Sequence, residues 1–455
     1  MSKDVISIFD VGKTNKKLFL FDEQYNIVHE ESTKFEEVKD EDGFVCEDVH
    51  ALTGWIHEKF QQVLSDNKYN VKAVNFSAYG ASFVHVGENG KPITPLYNYL
   101  KPYPENLKQQ FYKTYGGESL IAKQTASPVL GNLNSGMQLY RLKHEQPDVF
   151  SRIQYSLHLP QYLSFILTSK PASDITSIGC HTQLWHFQNN KYHDWVYKEE
   201  LDKKLAAIYK GDKIMHSNNI LTGIGLHDSS AALIPYLKLF NEPFILISTG
   251  TWCISLNPFN SSMLTDYELH NDCLCYLSYE GKPVKASRLF AGYEHEQQVQ
   301  RLAKHFNKEM GYYKTIKYDP ALLKKLDKKN VAKTTGNATA MVQQSAFEKR
   351  PLNNFENYEE AYHQLMLDII AQQVFSTKLV LNNTPVKKIF VDGGFGKNDV
   401  YMHLLAAAFP DIKVCAASIP QASALGAALV LHDNVSSKEI PADLIHLEYY
   451  ECVAG

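Results

Sequence analysis

Seven cysteines in 455 residues, an odd number thinly spread, exclude a disulfide framework and point to reduced thiols in a cytoplasmic protein. Cys273 and Cys275 are the one close pair. No second pair stands at metal spacing, so zinc is not expected. No run approaches the roughly 18 apolar residues of a membrane span. Near the start, Asp4 and Asp10 bracket a short apolar stretch that does not read as a signal peptide. No basic block is long enough to track a nucleic-acid backbone, and 46 Lys and Arg against 50 Asp and Glu leave a net charge of −4, so a polyanion partner is not expected. No low-complexity linker divides the chain. What remains is 44% hydrophobic and 21% charged, a soluble globular composition in a chain long enough for two or three domains.

One more absence concerns Gly12-Lys13-Thr14, the trio that ends a phosphate-binding P-loop. That loop needs a glycine five residues earlier and a helix immediately after. Ser7 stands where the glycine should be, and Lys16-Lys17-Leu18-Phe19-Leu20-Phe21 reads as a strand. The stretch is therefore a strand–turn–strand meander that continues into Ile27-Val28-His29. Asp10 ends the first strand and faces a small polar turn. A carboxylate beside such a turn suits a phosphate and Mg²⁺ site, with an ordinary hairpin as the alternative from this stretch alone.

Further along, Leu52, Trp55, Ile56, Phe60 and Val63 recur at helical spacing, which predicts a helix over Ala51–Leu64. A buried strand is expected at Val71–Phe76, then Tyr79-Gly80-Ala81 and a hairpin turning at Glu88-Asn89-Gly90. Residues 105–170 read as mostly helical. At Phe244–Leu256 the opening pattern returns: strand, a small turn at Ser248-Thr249-Gly250-Thr251, strand. A long helical stretch is expected over roughly 291–382. A strand then enters Asp392-Gly393-Gly394, a final strand lies near Ile412–Ala416, and a small-residue helix covers Gln421–Ala428. The domain boundary is placed near residue 238, giving halves 1–238 and 239–455, with the cleft between them as the expected site.

Five stretches in this order carry a resemblance: Asp10-Val11-Gly12-Lys13-Thr14, Gly225-Leu226-His227-Asp228, Ser248-Thr249-Gly250-Thr251-Trp252, Asp392-Gly393-Gly394-Phe395-Gly396-Lys397-Asn398 and Ser423-Ala424-Leu425-Gly426-Ala427-Ala428. Each alone is weak; together, and over essentially the full length, they resemble the FGGY family of carbohydrate kinases. The resemblance implies an α/β fold of two actin-like ATPase (ribonuclease H-like) domains with a cleft between them, and ATP and Mg²⁺ as cofactors. It implies Asp228 as general base, Asp10 near the metal, and Lys13, Thr14, Gly250 (through its N–H) and Thr251 at the phosphates. Gly393, Gly394 and Asn398 would lie at the adenosine. The sugar side would involve Tyr79, Gly80, Ala81, Asn98, Asp174, His227 and Asp228, with Tyr97, Thr176 and Trp252 nearby and Arg288 and Glu294 as weaker candidates from the second half. His227-Asp228 and Gly250-Thr251-Trp252 look like the L-fuculose and L-rhamnulose kinase branch, implying phosphorylation of a 6-deoxyketose.

Each residue also has an ordinary reading. Asp228 would cap a helix starting at Ser229, and Gly393-Gly394 would make a plain strand-to-helix turn. Departures from the family pattern are Lys13 after the glycine, Gln138 where a lysine is usual, Phe395 where small residues are common, and no clean second signature over 285–310. The expected partners are a small-molecule sugar and ATP, with no nucleic acid and no membrane; a homodimer is left open. Xylulose, ribulose or glycerol as substrate, a catalytically idle sugar or nucleotide sensor, and a chaperone-like ATPase are the competing readings.

Overall fold

The computed structural model describes residues 2–217, 219–330 and 346–451. Its first sheet has seven strands. They include β1 (Lys3–Val11), β2 (Lys16–Phe21), β3 (Ile27–Thr33), β4 (Tyr69–Ala78), β5 (Ile214–Ser217), β6 (Ile220–Gly223) and β7 (Leu226–His227). The spatial order is β5-β6-β4-β1-β2-β3, with β7 beside β4. The opening meander is antiparallel, whereas β4 runs parallel to β1. The second sheet repeats the plan with β8 (Phe244–Thr249), β9 (Cys253–Asn257), β10 (Cys273–Leu277), β11 (Pro283–Leu289), β12 (Lys388–Gly393), β13 (Lys413–Ser418) and β14 (His446–Tyr450). Here β8 and β9 form the hairpin and β12 lies parallel to β8. Each half thus places a hairpin turn beside the end of a parallel strand, the arrangement expected of the α/β, two-domain fold.

Apolar alternation sets the layers. In β1, Ile6 and Ile8 face one core while Val5, Phe9 and Val11 face another. In β8, Phe244 and Leu246 join the first of these cores and Ile245 and Ile247 a third. Both sheets are buried on both faces, so their inner strands read as continuous apolar runs. The outer face of the first sheet is covered by α1 (Val49–Ser65), capped by Asp48 accepting from the N–H groups of His50 and Ala51, and by α2 (Leu159–Thr168).

The shared core lies between the two sheets. It holds α3 (Asp228–Leu239), from the first half, against α6 (Ala422–Leu429), from the second, while α4 (Ala291–His305) and α5 (Tyr358–Leu381) cover the far side of the second sheet. The small-residue helix does pack closely. A Cβ on Gly426 would lie 1.8 Å from the Ala231 carbonyl oxygen. Fully buried Asn75 on β4 adds a polar tie, donating from Nδ2 to the Ala427 carbonyl at 2.8 Å and accepting from Gly225 N–H at 3.2 Å.

Three expectations need correction. The turn near Gly90 forms, but its return segment makes only a bridge between Val86 and Pro92. The true partner of Phe83–Val86 is Tyr155–His158, far along the chain, and local sequence does not signal such a pairing. Lys413–Ser418 is not the last strand, because β14 adds an antiparallel edge beyond it. Its alternating, half-exposed HLEYY gives only a weak strand signal. The helical stretch over 291–382 contains α4, Pro320–Asn330 and α5; its part at 331–345 lies outside the described residues.

Gly426→Ala tests the helix crossing. Overpacking typically costs about 1–3 kcal/mol, so the urea midpoint should fall while the slope of the transition stays unchanged.

Candidate active site

Asp10 ends β1 at the turn into β2, where Gly12 N–H donates to the Asn15 carbonyl at 3.0 Å. Its carboxylate accepts from Ser423 Oγ at 3.1 Å on each oxygen. Ser423 belongs to α6, so the contact joins the two halves. Burial first, and then the charge of Asp228, push the Asp10 carboxyl up to about 6. Asp228 opens α3 and is held up at about 6 by burial, although Ser229 N–H donates to its Oδ1 at 2.6 Å. The helix thus starts one residue earlier than expected, with His227 in the cap position and no side-chain cap bond, so Asp228 is not its cap. The Ser229 bond does not offset the loss of water, and the side chain keeps 36% of its exposure. The charge of Asp228 thus reaches Asp10 and favours its protonated form.

His227 precedes Asp228. It is buried, its pKa pushed down to about 4, and its Nε2 lies 3.3 Å from Asp228 Oδ1 and 3.4 Å from Cys180 Sγ. A neutral imidazole thus braces the carboxylate without pairing its charge. Gly80 makes room for it: a Cβ there would sit 2.7 Å from His227 Cδ2. Asp174 acts from behind. Wholly buried and pushed up to about 7 by that burial, it accepts from the hydroxyl and N–H of Thr176. Thr176 Oγ1 in turn accepts from His227 N–H at 3.0 Å.

The loop at 79–81 is built by residues whose partners are remote in sequence. Ala81 has φ +60, and Gln138 donates to its carbonyl at 2.6 Å and also to that of Asn132. Gln138 therefore anchors the loop. The Tyr79 ring is buried rather than open for stacking, and its hydroxyl donates to Glu47. Glu47 pairs with Lys16 in the core, and Lys16 Nζ donates to the Lys13 carbonyl at 3.1 Å. Lys13 Nζ sits 5.3 Å over the Tyr79 ring and 5.6 Å over that of Tyr99, a cation–π placement that turns it toward the loop at 79–81. Asn98 is engaged at both ends, to the Val45 carbonyl and Leu100 N–H at 3.0 Å each. Sequence reasoning missed Glu47 and Lys16; no periodic signal marks a three-residue strand at 45–47.

In the second half Thr249 joins the two glycine turns. Its Oγ1 donates to the Asp392 carbonyl and accepts from Phe395 N–H, while its carbonyl accepts from Gly394 N–H. Gly393, at φ +90, would place a Cβ 1.9 Å from the Thr249 carbonyl oxygen, so only glycine fits. The Gly250 N–H is not aimed at a ligand; it donates to the Trp252 carbonyl at 2.8 Å. That corrects its expected role, because closing the tight turn consumes the donor. Thr14 and Thr251 are exposed at their turn tips. A cavity of about 490 Å³ opens among Gly250, Gly292, His295, Tyr313, Phe395 and Asn398. The Phe395 ring turns into the core, stacked on Tyr401 at 4.5 Å. Asn398 caps the following helix and donates to Tyr362 Oη at 2.6 Å. The segment over 285–310, which shows no clean signature, supplies the α4 wall of this cavity.

The model of the FGGY carbohydrate kinase N-terminal domain matches residues 5–227, and that of the C-terminal domain residues 241–439. The chain belongs to the FGGY family of carbohydrate kinases. Curated relatives include the rhamnulokinase of Halalkalibacterium halodurans, 24% identical over 259 residues, covering 54% of this chain and 52% of that one. The rhamnulokinase of Bacteroides thetaiotaomicron is 23% identical over 221 residues, 46% of this chain and 44% of that one. The chain thus spans about half the length of the curated relatives it matches. Among solved structures, a carbohydrate kinase from Novosphingobium aromaticivorans superimposes with a TM-score of 0.79 at 21% identity, covering 99% of this chain and 97% of that one. The xylulose kinase of Lactobacillus acidophilus does so with 0.75 at 16%, covering 99% and 94%. These likenesses show the actin-like ATPase fold of the FGGY kinases. Among the described residues no helix is long and apolar enough to cross a membrane.

The raised carboxyls have a consequence for stability. A folded-state pKa near 6, above the ordinary value of 3.8, favours the fold while the group is protonated and loses that contribution as pH rises through 6. Asp228→Asn should therefore raise the Tm of the ligand-free protein at pH 8, and the gain should vanish toward pH 4. An equal gain at both pH values would contradict the raised pKa.

Proposed function

We propose that this chain is an ATP-dependent kinase phosphorylating a ketose at a primary hydroxyl, foremost a 6-deoxyketose such as L-rhamnulose or L-fuculose. Residues 1–238 carry the sugar and 239–455 the nucleotide. The observation that carries the reading is Asp228: a base tuned to about 6, braced by neutral His227 and facing Asp10. A carboxylate of that pKa is ionised at neutral pH and still basic enough to take a proton.

Asp228 accepts the proton of the primary hydroxyl as its oxygen bonds to the γ-phosphorus and the bond to ADP breaks, a step that demands positioning and charge neutralisation more than covalent help. His227 and Gly80 shape the wall beside the attacking hydroxyl. Thr14 and Thr251 lie at the phosphates, and Gly393, Gly394 and Asn398 frame the adenosine side of the 490 Å³ cavity. Asp10 fits Mg²⁺, because a cation relieves the mutual repulsion of the two carboxylates. Among the described residues no cluster of three or more His, Cys, Asp or Glu is placed to hold a metal. When bound, Mg²⁺ supplies charge neutralisation at the β- and γ-phosphates. The rhamnulokinase relatives support the 6-deoxyketose.

An ADP-release assay over L-rhamnulose, L-fuculose, L-xylulose, D-xylulose, D-ribulose and glycerol should show turnover, best with a 6-deoxyketose. No turnover, with thermal stabilisation by sugar, would favour a sensor instead. Asp228→Asn should cost about 10²–10⁴-fold in kcat and leave sugar Kd within a few-fold, while wild-type kcat/KM should rise with pH and level off above about 6. Lys13→Thr should leave the KM for ATP within about two-fold, since the ammonium rests on Tyr79 and Tyr99; a larger rise would make Lys13 a phosphate ligand.

A further inference from the structure

Arg288, on β11, is built into the second half with more care than a surface cation requires. Its Nη2 donates to Asp272 Oδ1 at 2.6 Å, and its backbone N–H donates to the Asp272 carbonyl at 3.2 Å. Asp272 itself sits at φ +61, a left-handed conformation that a non-glycine residue holds only when its surroundings fix it. The guanidinium lies 5.3 Å from the centre of the Trp252 ring. Trp252 is 42% exposed and is backed by Phe290 at 4.5 Å, which stacks on Tyr293 at 4.5 Å. Arg288 is thus clamped from two sides. Its buried Nε–H nevertheless has no hydrogen-bond partner among the described residues.

Arg288 alternates onto the face of β11 that carries Val284 and Ala286, both in the core shared with the first half. His181 is pushed down to about 3 by burial, then by His227 and by Arg288. The Cys180 thiol, raised by burial and by Asp228, is pulled back by Arg288. Cys180 touches His227, and the rings of His181 and Tyr276 lie 6.4 and 5.9 Å from that of His227. Arg288 thus lies on the strand face that meets His227 through Tyr276, which stands opposite Val284. The Asp272 carboxylate pairs with the guanidinium, so the pair offers its unpartnered Nε–H as a donor rather than an uncompensated cation. That suits a neutral polyol better than a phosphate, whose recognition uses an uncompensated guanidinium fork.

We propose that Arg288, held by Asp272 and backed by Trp252, contacts the hydroxyls of the ketose away from the reacting carbon and sets which ketoses are accepted. The assignment rests on the kinase reading above and deepens it, because it makes the sugar site a product of both halves. A site built to hydrogen-bond a hydroxyl rejects analogues lacking it far more strongly than an apolar wall does.

The test measures ketose binding by calorimetry, and turnover, over the same sugar panel for wild type, Arg288→Lys, Arg288→Met and the double variant Arg288→Met/Asp272→Asn, which leaves no unpaired carboxylate. Tm and ATP affinity serve as folding controls. Both Met variants should weaken binding of the best ketose by at least about 30-fold and narrow the spread of kcat/KM across the panel, with ATP affinity within two-fold of wild type; Arg288→Lys should fall between. Wild-type sugar affinity and selectivity in the folded double variant would overturn the assignment while leaving the kinase reading intact. A comparable loss of ATP affinity would overturn it in favour of a phosphate contact. Wild-type protein that neither binds nor phosphorylates any ketose would overturn both.

Discussion

The crossing of α3 and α6 at Gly426 is the constraint on which the site depends. Backbone meets backbone there, with no room for even a methyl group against Ala231. Each helix delivers a functional group at its N-terminal end: α3 begins at Asp228, and α6 carries Ser423, which holds both oxygens of Asp10. Fixing the helices against one another therefore fixes Asp228 relative to Asp10. Asn75 ties α6 to the Gly225 turn just before Asp228, so a displacement of either helix would reach both carboxylates at once.

Around that crossing the electrostatics are arranged by what is withheld. Among the described residues Asp228 receives a hydrogen bond from Ser229 but no charged partner, and its imidazole neighbour is kept neutral by burial. Asp10 receives a hydroxyl, not a cation, at bonding distance. Both remain above the ordinary carboxylate range as a result, which costs stability when they ionise and leaves them responsive to a bound cation or a substrate hydroxyl. The lysine that the turn suggests as a partner is diverted: Lys13 lies on Tyr79 and Tyr99, while Lys16 is spent on Glu47.

Much of the fold was legible because its signals are local. Alternating apolar residues in β1 and β8, the helical spacing of Leu52 to Val63 and the glycine turns at 393–394 each follow from short-range backbone and packing preferences. Their recurrence in two halves was enough for the family resemblance. The partner of Phe83–Val86 was not legible, because the strand it joins lies some seventy residues away. Nor was the edge strand β14, whose mixed residues suit a half-exposed position.

For the site, the sequence alone determined the turn residues on which the proposed chemistry rests: Asp10, His227-Asp228, Thr249 to Trp252 and Asp392 to Asn398. Turn geometry restricts residue type strongly enough to leave a readable pattern. Tertiary structure decided what those residues face. It buried Asp174 and sent its influence through Thr176 to His227. It gave Gln138 the task of holding Ala81, closed the Gly250 amide onto Trp252, and set Arg288 on the sheet face that meets the first half. None of these follows from spacing along the chain. Each depends on which surfaces meet when two separately patterned sheets close on one shared core.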